Sequence, residues 1–128
     1  MISSPINSEL LAQYCNAISD TDVKDAFRYL IGLAVTNQEY IFITKNEGEE
    51  HGMDICWTDT NIRPYSVMIE NNSLIFYIRH SHTPPFSSFK KEKIKKNFDI
   101  TEDEFVTDEI KFKIRNLQQA IKVCEILF

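Results

Sequence analysis

Apolar residues recur at helical spacing near both ends of the chain and at every second position through its middle. Leu10, Leu11, Tyr14, Cys15 and Ile18 form one stripe, which predicts a helix from Asn7 or Ser8 to Ile18. With Asn7 as its N-cap, Ile6 and Leu11 occupy the two positions of a hydrophobic staple. Val23, Ala26, Phe27, Leu30, Ile31 and Ala34 predict a second helix from Asp20 or Thr21 to Asn37. Ser19 to Asp22 supply its capping side chains and its N-terminal negative charge. The short connection makes the pair a helical hairpin.

The period then changes from 3.6 to two. Tyr40 to Thr44 is an apolar, β-branched run, followed by a polar, glycine-containing stretch from Lys45 to Gly52 that reads as a loop. Met53, Ile55 and Trp57 alternate with polar or small residues as in a half-buried strand. From Arg63 to Arg79, two alternating runs flank Asn71-Asn72, and asparagine tolerates the positive φ of a two-residue hairpin loop. That turn fixes a register: Glu70 opposite Ser73, Ile69 opposite Leu74, Val67 opposite Phe76, Tyr65 opposite Ile78. A slip of one residue would set apolar side chains against the wrong face.

Pro84-Pro85 interrupts the pattern. Ser87 or Ser88 caps a third helix through Asn97, with a narrow stripe of Ile94 and Phe98. Asp99 to Asp108 is acidic and turn-like, and Glu109 to Arg115 alternates as a strand with one wet face. Asn116 with Gln119 resembles a capping box opening a last helix, whose stripe runs from Leu117 to Phe128 and docks the end of the chain. The order is α-α-β-β-β-β-α-β-α. Short links between strands favour a largely antiparallel meander of about five strands. The expected fold is α+β: an N-terminal helical hairpin, the sheet, and two C-terminal helices flanking the last strand.

The 128 residues suit one domain. No run of about 18 apolar residues predicts a membrane helix, and the N-terminus lacks the pattern of a secretion signal. The odd cysteine count, Cys15, Cys56 and Cys124, argues against a disulfide framework, so the expected location is the cytoplasm. Cys15 and Cys124 fall on apolar helix faces, where a thiol packs as a small hydrophobe. The 17 isoleucines, 10 lysines and 9 asparagines match the usage of AT-rich bacterial and phage genomes.

Charge is unevenly spread. Arg79, Lys90, Lys91, Lys93, Lys95 and Lys96 oppose only Glu92 between Arg79 and Lys96, a local +5. The whole chain carries −5, so the remainder carries −10, which favours a basic partner for it. With His80 and His82, the six bases form a candidate anion or nucleic-acid footprint. At 100° per residue, however, the five lysines spread around the helix. The second face of the central hairpin is unusually apolar. Met68, Ile75 and Tyr77 stand on the side opposite Ile69 and Leu74, so another element, another chain or a ligand must cover them.

Other chemistry is thinly signalled. His80-Ser81-His82, with His51, Asp54 or Cys56, has metal-type residues without metal-type spacing. Cys56 lacks a basic neighbour to activate it. Glu109-Ile110-Lys111 with Asp99 matches the sparse E-x-K pattern of metal-dependent nucleases. Trp57, Tyr65, Tyr77 and Phe86 are candidate stacking rings, though alternation places Trp57 and Tyr65 in the core. No Gly-rich phosphate loop or zinc-type spacing is present. No catalytic residue, metal ligand or cofactor is expected. The first reading is a non-enzymatic interaction protein, such as a small inhibitor or accessory factor, binding another protein or a second copy of itself. A nucleic-acid-binding module comes second and a small metal-dependent nuclease third.

Overall fold

A computed structural model describes residues 8–47, 50–70, 72–80 and 87–128. Its elements run α1 (Ser8–Ala17), α2 (Thr21–Thr36), β1 (Tyr40–Glu47), β2 (Glu50–Trp57), β3 (Tyr65–Ile69), β4 (Leu74–Ile78), α3 (Ser88–Phe98), a 3-10 helix (Glu102–Val106), β5 (Ile110–Ile114) and α4 (Leu117–Leu127). The sheet is an antiparallel meander, β1-β2-β3-β4-β5, so the α+β expectation holds.

Local sequence sets the boundaries. Asp20 caps α2 by accepting from the backbone N–H groups of Asp22 and Val23. Ser87 caps α3 through the N–H of Lys90. Asp99 ends α3 in the left-handed conformation (φ 53°), which aspartate enters at lower cost than most residues. At α4, Asn116 accepts from the N–H of Gln119. The Gln119 side chain accepts in return from Arg115, one residue outside the usual reciprocal cap.

The central hairpin pairs as the alternation predicts: Ile69 with Leu74, Val67 with Phe76 and Tyr65 with Ile78. The Glu70 N–H donates to the Ser73 carbonyl at 3.0 Å to close it. One expectation fails. The segment Lys45 to Gly52 is largely strand, because β1 continues to Glu47 and β2 begins at Glu50, pairing Lys45 with Gly52, Asn46 with His51 and Glu47 with Glu50. Ladder hydrogen bonds are made by the backbone, so the hairpin extends beyond the apolar stretch that identifies it. The Asn7 cap, the Ile6 staple, Asn71, His82 and Phe86 lie outside the described residues.

All four helices pack on one side of the sheet. Tyr14 and Ile18 of α1, Phe27 and Leu30 of α2, Ile94 of α3 and Val123 of α4 join one buried cluster. The sheet contributes Phe42, Ile55, Val67, Phe76 and Phe112 among others. Phe98 of α3 stacks on Phe112 (centroids 4.3 Å apart). Phe128, just after α4, meets Tyr40 and Tyr65 edge-on at 4.8 and 5.5 Å. Tyr65 is fully buried, and its hydroxyl makes no hydrogen bond of good geometry. Burial, then the adjacent Tyr40 phenol, push its pKa far above the ordinary tyrosine range.

Gly52 marks a close approach of β2 to β3. A Cβ there would collide with the Val67 carbonyl and stand 2.7 Å from Met68 Sδ. The Tyr14 hydroxyl also bonds to the Gly52 backbone, tying α1 to β2. Gly52→Ala is expected to destabilise the fold by about 1–3 kcal/mol, measured by urea unfolding, because a backbone carbonyl cannot retreat as a flexible side chain can.

Candidate functional site

Strand alternation puts a second set of residues on the face the helices leave open. One row crosses all five strands: Ile43, Asp54, Ser66, Tyr77 and Lys111. The next reads Gly52, Met68, Ile75 and Lys113, and Ile41 stands beside Cys56. Met68, Ile75 and Tyr77 thus lie on the surface the sequence singles out, and β1 adds Ile41 and Ile43. All five are half-buried by their strand neighbours, while Lys111 and Lys113 are exposed. Among the described residues no helix covers this face. The result is an apolar floor with a cationic border at the β5 edge. The alternation of Ile41 and Ile43 already carried the signal for their membership.

The floor has a polar seam. Asp54, Cys56 and Ser66 are almost fully buried although they face away from the helices. The loop between β2 and β3 closes over Asp54 and Cys56. Arg63 Nη1 lies 2.7 Å from Asp54 Oδ2, and the Cys56 thiol donates to the Thr60 carbonyl at 3.1 Å. Arg79 Nη1 donates to the Arg63 carbonyl at 3.0 Å, holding that loop to the end of β4. A positive φ at Asp59 (64°) lets the chain turn. Asp54 is 5% exposed at its side chain and Arg63 46%, so the carboxylate depends on a partner that still reaches water. Arg63→Ala leaves a buried charge without this ion pair and is expected to cost about 2–4 kcal/mol. Arg28→Ala breaks only the exposed 3.6 Å contact with Asp25 and should cost less than about 1 kcal/mol in the same assay.

The basic segment does not form one pole. Arg79 Nε pairs with Glu109 at 3.2 Å. His80 Nε2 bonds to the Thr107 carbonyl, and its ring lies against Phe105. Lys91 and Lys95 both reach Glu102 of the 3-10 helix, at 2.7 and 2.9 Å. Lys93 lies over the Phe89 ring, 5.2 Å from its centroid. Among the described residues Lys90, Lys93 and Lys96 have no carboxylate partner. Glu102, in the acidic stretch after α3, therefore engages two of the helix's five lysines.

Lys91, then Lys95, hold the Glu102 carboxyl down to about 2. A carboxyl depressed in the folded state favours folding above its unfolded value near 4.5. That contribution is lost as pH falls from there through about 2. An NMR titration is expected to place the Glu102 midpoint near 2 in the native protein, and Lys91→Ala should move it upward.

The remaining candidates separate in space. Cys56 is occupied as a hydrogen-bond donor. Burial pushes the Cys124 thiol up to about 12, so it remains protonated at neutral pH. Glu109 is engaged by Arg79, Lys111 points to the open face, and Asp99 caps α3. No group of three metal-ligating side chains occurs among the described residues. Trp57 and Tyr65 pack with the core, and Tyr77 stays on the open face. No described helix is long and apolar enough to cross a membrane. No known family, curated protein or solved structure matches the chain.

Proposed function

We propose that the protein is a binding module whose open sheet face docks a second protein bearing an apolar strip bordered by carboxylates. The observation that carries this reading is the placement of all four helices on one side, which leaves Ile41, Ile43, Met68, Ile75 and Tyr77 as a half-buried apolar floor that no helix covers among the described residues. An apolar floor framed by polar residues is the usual make-up of a protein–protein interface. Tyr77 and Met68 are residue types enriched at such contacts. Charge selects the partner. The buried Asp54 is neutralised by Arg63, and Glu109, on the same side of β5 as the lysines, is paired with Arg79, so Lys111 and Lys113 border the floor without a carboxylate partner among the described residues. The −10 remainder favours a basic partner for the molecule as a whole, but this face asks for the opposite sign. A second copy meets the requirement poorly. Among the described residues the carboxylates on its side of the sheet, Glu109 and Glu70, are already engaged by Arg79 and by the Ser73 hydroxyl.

The test is an affinity capture from the cell that makes the protein, comparing wild type with Ile75→Ser/Tyr77→Ala and with Lys111→Glu/Lys113→Glu. One defined acidic protein should be retained by wild type, lost at least tenfold with each double variant, and reconstituted from purified components. Each variant should unfold cooperatively, because none of the four positions belongs to the helix-covered core. Equal retention by both variants would exclude this face. A concentration-dependent dimer in sedimentation, abolished by Tyr77→Ala, would replace the acidic partner with a second copy.

A further inference from the structure

We infer that the groove between α3 and α4 is a nucleotide site, accepting a phosphate group on its lysines and a flat ring against Phe89. This goes beyond the sheet-face reading and shares no residue with it. The groove has a volume of about 340 Å³ and is lined by Phe89, Glu92, Lys93, Lys96, Asn97 and Lys122. That volume lies at the small end of ligand pockets, the size of a single compact molecule.

The periodicity of α3 builds it. Lys91 and Lys95 stand four residues apart on one flank and turn to Glu102. Phe89, Lys93 and Lys96, spaced by four and three, share the opposite flank and face the groove. Lys122 reaches it from α4, twenty-six residues further along the chain. Three ammonium groups thus meet one carboxylate, and Glu92 already lies 3.5 Å from Lys95. Lys122 has a half-exposed partner in Glu125 at 3.4 Å, whereas Lys93 and Lys96 have no carboxylate partner among the described residues. The groove is therefore an excess of positive charge inside a protein of net charge −5.

Phe89 supplies the second half of the recognition. It is 71% exposed, among the most exposed of the large apolar side chains described here. Lys93 sits over its ring, which orients the ring beside the cationic floor. An exposed aromatic next to ammonium groups matches a ligand that couples a π-face to phosphate, the combination found in every nucleotide. The source is either a free nucleotide or a single-stranded nucleic acid.

The experiment is an NMR titration of 15N-labelled protein at low salt with ADP, adenosine, inorganic pyrophosphate and a six-nucleotide single-stranded RNA. ADP is expected to shift amides of residues 89–97 and around Lys122, with affinity falling as salt rises. Adenosine and pyrophosphate should each bind about tenfold or more weakly than ADP. Phe89→Ala should reduce ADP affinity to the level of pyrophosphate, and Lys93→Glu/Lys96→Glu should abolish the shifts. Lys91→Ala, on the Glu102 flank, should leave ADP affinity within about twofold when the titration is repeated at about 0.15 M salt, where the Debye length of about 8 Å screens charges across the helix. RNA binding a hundredfold tighter than ADP at the same residues would identify a strand as the source, and comparable or weaker RNA binding a free nucleotide. Absence of shifts at 89–97 with both ADP and RNA would overturn the site. Equal affinity for pyrophosphate and ADP, or an unaffected Phe89→Ala, would overturn the role of the ring. The sheet-face variants should leave all of these titrations unchanged, so either proposal can fail alone.

Discussion

The pairing of Ile69 with Leu74 across the β3–β4 turn sends every alternate side chain of the sheet to one face or the other. Because strand periodicity is two, the register of this hairpin propagates through β2 and β5 by backbone pairing alone. Once Tyr65, Val67, Leu74 and Phe76 are committed to the helix-covered side, Ser66, Met68, Ile75 and Tyr77 have no choice of face. The hydrophobic driving force acts on the first set, and the geometry of the pleat disposes of the second. The open floor is thus a by-product of how the core is assembled, made useful by the residues placed on it.

Two further features follow from the same one-sided packing. A carboxylate on the uncovered face is buried only if something local closes over it, and the β2–β3 loop does this for Asp54 by bringing Arg63 across. The helices, crowded onto one layer, meet one another as well as the sheet. The α3–α4 junction places Lys122 beside Lys93 and Lys96, while α2 packs most extensively against α4. The sheet therefore carries one surface directly, and the helices create another where they meet.

Much of this was legible in the sequence, for reasons particular residues make plain. The Asn71-Asn72 turn with its alternating flanks encodes its own partners, so the β3–β4 register could be written down in advance. The caps at Asp20, Ser87 and Asn116 are local events set by a few neighbouring atoms. The Lys45–Gly52 hairpin arm was not legible, because its backbone pairing leaves no trace in side-chain polarity. The division of the α3 lysines was equally hidden. Helical spacing sorts them into flanks, but only the tertiary fold brings Glu102 to one flank and Lys122 to the other. Counting charges along a segment measures the field it would have as an isolated helix.

The pleat has a consequence for how such a molecule can change over time. Side chains on the uncovered layer enter neither the aromatic cluster around Phe128 nor the caps that delimit the helices. Replacing them alters what the surface prefers without disturbing what holds the chain together. A scaffold of this kind can drift in its choice of company while its interior is inherited intact.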